Sequence, residues 1–270
     1  MEVQVVILAA GLGKRMRRRA AEDDRLNERQ RAVAETGVKA LMPIERPFLD
    51  YVLTTVADAG YRQVCLVVGP QHEELRRYYS ALSGARLQFR FAVQPEPLGT
   101  AHAVASAADC VGDSPFLVLN SDNYYPLSAL VALREIDGNA LVGFERQSMI
   151  RGSNVSAERL SQFAVIEADS DGSLRRIIEK PSPEVLERLP EPVLLSMNCW
   201  RFEPVMFSAC RSIEKSPRGE YEIPDAVAYA MQRFGQSFRV LVSHEAVLDL
   251  STRADVVSVA ERLKGLEVRL

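Results

Sequence analysis

Three stretches of the sequence gather residue types that could do chemistry. The first, Gly11-Leu12-Gly13-Lys14-Arg15, is a short turn with two glycines and two cations directly after it. Glycine lets backbone N–H groups approach an anion, and Lys and Arg add countercharge, so the turn reads as a cradle for a polyphosphate. It matches neither familiar phosphate loop. A dinucleotide-binding turn, G-x-G-x-x-G, would put glycine where Met16 stands, and a P-loop separates its glycines by about four residues where only Leu12 stands here. The competing reading is an ordinary strand-to-helix turn with exposed basic residues. The second stretch runs from Gln94 to Thr100, and Gln94 offers an amide donor and acceptor together. The third is Asp122, a carboxylate just past an apolar run, whose bland reading is a strand-end cap.

The elements around these residues say how they would meet. Short apolar runs at 3–9, 63–69, 87–93 and 116–122 alternate with helical patterns at 48–60, 71–83 and 99–109. Strands alternating with helices predict a mainly parallel sheet covered on both faces, and such sheets bind ligands beyond the carboxyl ends of their strands. All three stretches follow strand ends and converge on one crevice. Beyond Asp122 the pattern is strand-rich, with candidates at 140–145, 163–168, 174–180, 193–202 and 237–243 and a hairpin turn at 169–172. This half is expected to continue the sheet and form the other wall of the crevice, with a closing helix over 252–263. The polar segment 17–37 is expected to be a mobile or lid-like helical element beside the first loop. His102 reads as a helix-face residue and Trp200 as a core residue.

Composition excludes several classes. Hydrophobic residues make up 47% and charged residues 26%, with a formal net charge of −3, an ordinary balance for a globular enzyme and a poor one for a nucleic-acid binder. The basic run Lys14, Arg15, Arg17, Arg18, Arg19 meets Glu22, Asp23 and Asp24 at once and reads as a solvated helix face. Cys65, Cys110, Cys199 and Cys210 form no zinc-ligand spacing, so buried thiols in a reducing compartment are expected. The first apolar run is strand-length and lacks a basic leader, and no run reaches membrane-spanning length. The expectation is a cytoplasmic protein with neither membrane nor nucleic acid as partner.

Further motifs line up in chain order. Leu8-Ala9-Ala10-Gly11-Leu12-Gly13-Lys14-Arg15-Met16 reads as L-A-A-G-x-G-x-R-[ML], and Lys39-Ala40-Leu41-Met42-Pro43 as K-x-L-[LM]-P. Asn120-Ser121-Asp122 is a variant of a G-D motif, Glu179-Lys180-Pro181 matches E-K-P, and Asn198 begins a variant of N-x-G. Gly219 to Asp225 matches G-E-x-x-[IL]-x-D, and Leu248-Asp249 a late L-D. Together they resemble the sugar-1-phosphate nucleotidyltransferases, and Leu98 to Ala103 is similar to the bacterial N-acetylglucosamine-1-phosphate uridylyltransferases.

The resemblance implies an α/β, Rossmann-like three-layer nucleotidyltransferase fold with a mainly parallel mixed sheet and helices on both faces. It implies one domain over 1–270, with a nucleotide-binding lobe at 1–125, a sugar-phosphate-binding lobe at 126–250 and a C-terminal helix at 251–270. The implied activity is transfer of NMP from an NTP, UTP or dTTP, to a sugar 1-phosphate or related phosphorylated acceptor, with pyrophosphate released. Arg15 and Lys39 are the implied catalytic pair. Leu8, Ala10, Gly11, Gly13, Lys14, Gln94, Gly99 and Thr100 are the implied nucleotide contacts, Gln94 suiting the O4/N3–H edge of uracil or thymine and Gly99 leaving room for the base. Asp122 and Asp249 are the implied ligands of Mg²⁺. Glu179, Lys180, Asn198 and Ala164 are implied on the sugar-phosphate side, and a homo-oligomer is plausible by family habit. The chain is expected to carry this activity alone, without the acyltransferase domain of the bifunctional uridylyltransferases.

Departures from the family pattern fall mostly on the sugar side. Ala164 stands where the family has glycine, and Asn198-Cys199-Trp200 sets a large ring where N-x-G has none. Ser121-Asp122 replaces Gly-Asp, and the 17–37 segment is longer than in simpler members. These departures support either an unusual acceptor or the alternative of a non-catalytic regulatory or nucleotide-sugar-binding subunit. A Rossmann oxidoreductase is disfavoured by Met16.

Overall fold

The early apolar runs at 3–9, 63–69 and 116–122 become strands buried on both faces, which is why their sequences are continuously hydrophobic, while the run at 87–93 becomes an edge strand that alternates and stays partly exposed. The structure, a computed structural model, describes residues 2–18, 25–82, 84 and 86–270. Its strands are β1 (Gln4–Leu8), β2 (Gln63–Val68), β3 (Gln88–Val93), β4 (Phe116–Asn120), β5 (Asn123–Tyr124), β6 (Asn139–Glu145), β7 (Val165–Ala168), β8 (Leu174–Ile178), β9 (Leu194–Phe202), β10 (Phe238–Ser243) and β11 (Leu248–Asp249). The main sheet runs β10-β6-β9-β4-β1-β2-β3, with β7 joined to β9 and β8 to β7. Strands β4, β1, β2 and β3 are parallel, β9 is antiparallel to β4 and β6, and β10 is parallel to β6. Strands from both halves of the chain thus share one sheet. The expected hairpin forms between β7 and β8.

The helices are α1 (Lys14–Arg17), α2 (Glu28–Thr36), α3 (Phe48–Asp58), α4 (Glu73–Leu82), α5 (Thr100–Ser106), α6 (Ala108–Val111), α7 (Leu127–Glu135), α8 (Arg146–Gly152), α9 (Ala157–Leu160), α10 (Pro183–Arg188), α11 (Val205–Ser212), α12 (Ile223–Phe234) and α13 (Arg253–Leu263). They cover both faces. Val5 and Ile7 of β1 pack in a core with residues of α3, α7 and α13, while Val6 faces a second core with residues of α5, α11 and α12. This is the three-layer arrangement the sequence implied. Among the described residues, no helix is long and apolar enough to cross a membrane.

Local chemistry explains the key boundaries. Asn27 and Gln30 close a capping box at the start of α2, and Gly37 ends it in the left-handed region. Thr252 and Asp255 do the same for α13, which stops at Leu263 short of the expected 251–270. Pro224 sits in the first turn of α12, where a missing N–H costs nothing. The 17–37 segment is helical over α2, whose Gln30 side chain donates to the Pro43 carbonyl at 2.9 Å. Residues 19–24, including Arg19 of the basic run and the acidic residues after it, lie outside the described residues.

Candidate active site

The first loop is held by backbone-to-backbone packing. Gly13 has φ 58°, and a Cβ there would lie 2.1 Å from the Gly37 carbonyl oxygen, so only glycine fits. Arg17 reinforces the contact by donating from Nε to the Thr36 carbonyl at 3.1 Å. Docking on Gly37 brings Lys39, in a short 3₁₀ turn, beside the loop, with exposed Lys14 and Arg15 on the other side. Met16, which excluded a dinucleotide turn, is fully buried, and its carbonyl accepts from Arg253 Nε at 2.9 Å.

The two aspartates arrive from opposite ends of the chain. The Ser121 N–H donates to the Leu8 carbonyl at 3.2 Å, which places Asp122 next to the loop. Strand β11 pairs antiparallel with β5, setting Asp249 opposite Asn123, and the Leu250 N–H donates to the Asp122 carbonyl at 2.8 Å. Asp122 carries an ion pair to Lys39 Nζ. Asp249 accepts from Arg159 at 2.8 Å and from Asn123 Nδ2 at 3.1 Å. The other arm of Arg159 donates to Asp255 at 2.6 Å, and Asp255 is fixed by the N–H groups of Ser251 and Thr252. Asn154 grips the Asp249 backbone through both its N–H and its carbonyl, each at 2.8 Å.

Burial, and then the charge of Asp122, push the Asp249 carboxyl above the usual carboxylate range against the pull of Ser251, Arg159 and Lys39. Two carboxylates that repel at the wall of one cavity are a donor set a hard divalent cation would relieve, with substrate oxygens filling the remaining positions. Among the described residues no group of three or more His, Cys, Asp and Glu forms a metal cluster, so a cation at this pair would draw further oxygens from a substrate.

At the other end of the crevice, Gln94 continues β3 and is 4% exposed. Its Nε2 donates to the Gly99 carbonyl at 3.0 Å and lies 3.1 Å from Nδ1 of His102. Gly99 has a packing reason to be glycine: at φ 116° its missing Cβ would stand 2.3 Å from the Tyr221 carbonyl oxygen. The Thr100 hydroxyl is likewise engaged, accepting from the Ile223 N–H at 3.1 Å. These contacts dock the Gly219–Asp225 motif onto the Gln94–Thr100 segment.

Lys180 and Asn198 have φ of 44° and 52°, a conformation non-glycine residues adopt at a cost of about 1–3 kcal/mol and that gathers at functional sites. Asn198 lies in an irregularity of β9, between Ser196 paired with Gly143 and Trp200 paired with Leu141, which breaks the alternation of the strand. Its amide approaches Asn120 Oδ1 at 3.5 Å and accepts from Trp200 Nε1 at 3.3 Å. Trp200 is fully buried, as its reading as a core residue expected, so the ring that departs from N-x-G lies in the core. Ala164 does line the cavity, its methyl almost wholly buried.

Every residue named as an implied site residue lines one of two adjoining cavities. The larger, about 410 Å³, is lined by Leu8, Ala10, Gly11, Gly13, Lys14, Arg15, Lys39, Gln94, Gly99, Thr100 and Asp122 among others. The smaller, about 230 Å³, is lined by Ala164, Glu179, Lys180, Asn198, Asp122 and Asp249. Arg15, Asn120, Asp122, Asn198 and Ser251 belong to both. A family model described as nucleotidyl transferase matches residues 28–263. The chain belongs to the nucleotidyl transferase family.

Within that family, the chain is 29% identical over 225 residues to the low-salt glycan biosynthesis nucleotidyltransferase Agl11 of Haloferax volcanii, covering 82% of this chain and 55% of that protein. It is 28% identical to a glucose-1-phosphate thymidylyltransferase of Streptomyces antibioticus, covering 99% of this chain and 68% of that one. A UTP–glucose-1-phosphate uridylyltransferase, AglF of H. volcanii, is 26% identical with 83% and 82% covered. The chain thus spans about half the length of Agl11 and two thirds of the Streptomyces enzyme. Among solved structures, a UDP-glucose pyrophosphorylase complexed with UDP-glucose superposes with TM-score 0.73 at 18% identity, covering 97% of this chain and 98% of that one. An inositol-1-phosphate CTP transferase from T. maritima gives the same TM-score at 15% identity, with 98% of both chains covered. These likenesses bear out the fold and the membership in the nucleotidyl transferase family implied by the motifs.

The nucleotidyl transferase site also holds residues the sequence did not mark. Arg218 lines the smaller cavity and is braced by Glu222, with Nε 2.9 Å from a carboxylate oxygen. Its signal was its place immediately before the Gly219-Glu220 motif. Arg159, Asn123 and Asn154 carried no motif; their partners become visible only when β5 and β11 are paired.

Proposed function

We propose that this chain transfers a nucleoside monophosphate from UTP or dTTP to a sugar 1-phosphate or related phosphorylated acceptor and releases pyrophosphate. The observation that supports this most is the junction of the two cavities at Arg15 and Asp122. A triphosphate cradled by the Gly11–Arg15 loop would have its α-phosphorus near that junction, within reach of an acceptor phosphate in the smaller cavity. An acceptor phosphate oxygen attacks the α-phosphorus, its bond to the bridging oxygen breaks, and pyrophosphate leaves. The attacking oxygen is already anionic, so the residues have to align and neutralise rather than move a proton.

Loop N–H groups, Lys14 and Arg15 hold the triphosphate, and Arg15 and Lys39 stabilise charge moving toward the leaving pyrophosphate. Asp122 and Asp249 would hold Mg²⁺, which when bound neutralises triphosphate charge. Lys39, paired with Asp122 in the free protein, would then turn to the phosphates. Gln94 and the Gly99 segment meet the base. Lys180 and Arg218 meet the acceptor phosphate, and Glu179 and Asn198 meet its hydroxyls. Residues 1–125 form the nucleotide lobe and 126–250 the acceptor lobe of one domain. A cytoplasmic setting follows from the substrates, which are small molecules and not nucleic acid. With Trp200 in the core, one of the two sugar-side departures that favoured a regulatory subunit is removed.

Mass-spectrometric detection of a nucleoside diphosphate sugar, formed from UTP or dTTP and a sugar 1-phosphate and reversed by added pyrophosphate, tests the reading. Binding of both substrates without product in either direction would overturn it.

A further inference from the structure

The orientation of the Gln94 amide is fixed by two neighbours. The Gly99 carbonyl can only accept, so the group 3.0 Å from it must be the amide nitrogen; a flip would set oxygen against oxygen. With the nitrogen so placed, Nδ1 of His102 at 3.1 Å must also accept, which leaves the imidazole proton on Nε2. Both amide hydrogens are then engaged. Only Oε1 remains for a ligand, so Gln94 no longer presents the mixed donor and acceptor edge that its residue type suggests. His102 is held in place on α5, partly buried, with its ring 6.3 Å from that of Tyr221.

We propose that His102 is a positioning residue for base choice: by accepting the second N–H of Gln94, it makes the amide an acceptor only, favouring a pyrimidine that carries N3–H. Uracil and thymine present that N–H, whereas cytosine presents a lone pair at N3 and would face Oε1 with like polarity. An engaged amide also loses the freedom to rotate and serve the wrong base, so discrimination rests on the repulsive contact as much as on the favourable one. The inference rests on assigning the larger cavity to the nucleotide.

Calorimetric affinities for UTP, dTTP and CTP, measured on the wild type, His102→Leu and His102→Asn, test it. Leucine frees an N–H that cytosine N3 can accept, and the preference for UTP over CTP should fall about tenfold, the scale of one hydrogen bond. Asparagine restores an acceptor oxygen near the Nδ1 position and should return the preference to within about threefold of wild type on the same scale. His102→Phe, which keeps a ring against Tyr221, makes the same comparison should the leucine variant fail to fold. Nitrogen-15 spectra, readable in a chain with three histidines, should report His102 as the Nε2–H tautomer. An unchanged UTP-to-CTP ratio in a folded leucine or phenylalanine variant, or a wild type indifferent to the base, overturns the role of His102 while leaving nucleotidyl transfer standing. Absence of all nucleotide binding would instead overturn the assignment of the cavity.

Discussion

Asp122→Asn separates the metal role of this carboxylate from its structural role. The Lys39–Asp122 pair is neither exposed nor deeply buried, with side-chain exposures of 17% and 19%. Exposed pairs contribute about 0–1 kcal/mol, while breaking a buried pair costs about 3–5 kcal/mol, so losing this one should cost about 1–2 kcal/mol. Two effects offset that cost. Asparagine still gives Lys39 an oxygen, and Asp249 is relieved of the neighbouring charge that helps push its carboxyl up. The net change should be about 1 kcal/mol, a melting shift of about 2–4 °C for a chain of this size. Turnover should respond far more, because halving the anionic metal ligands removes about 3–4 kcal/mol of transition-state stabilisation, or about 200- to 900-fold. Coupled pyrophosphate release at saturating nucleotide and a parallel thermal melt read both quantities. Wild-type turnover in the folded variant would refute the metal assignment, and a collapse of the melt would refute the claim that the pair is structurally minor.

Other substitutions test the supports of the site. Gly13→Ala should lower the melting temperature by about 5 °C or more, since its Cβ meets the Gly37 carbonyl and overpacking costs about 1–3 kcal/mol, whereas Gly11→Ala, with open space around its Cβ, should melt within about 2 °C of wild type. Arg159→Met should raise the Mg²⁺ concentration needed for half-maximal turnover by about tenfold by letting the Asp249 carboxyl swing, with Arg159→Lys intermediate; equal Mg²⁺ dependence in all three proteins would remove Arg159 from the site. Gln94→Ala should relax the choice among nucleotides by about tenfold while changing maximal rate by less than about threefold, as measured by initial rates with each triphosphate. An unaltered preference would mean that the base is read elsewhere.

The first loop and Asp122 were legible because they follow strands whose continuous apolar runs are hard to mistake. Val5, Val6 and Ile7 are fully buried, and the loop after them had to emerge at the sheet's carboxyl edge. What the sequence concealed is partnership. Gly13 and Gly99 stood out as glycines, yet their reasons, the backbones of Gly37 and Tyr221, lie elsewhere in the chain. Arg159 and Asn154 looked like ordinary polar residues, since Asp249 and Asp255 reach them only through tertiary packing. Helix α12 was passed over although Ile223, Ala226, Val227 and Ala230 are buried at helical spacing, because its start fell inside a motif read for chemistry. Trp200 was read as a core residue despite its motif position, and it is fully buried beside the irregularity in β9.

Pyrophosphate release by the purified protein, measured for each nucleoside triphosphate against a panel of sugar 1-phosphates and other phosphorylated acceptors, with Mg²⁺ and with a chelator, tests the central claim most directly. Release that requires UTP or dTTP, one acceptor and Mg²⁺ together is the predicted result. Nucleotide binding without release across the panel, or release indifferent to the acceptor, would contradict it.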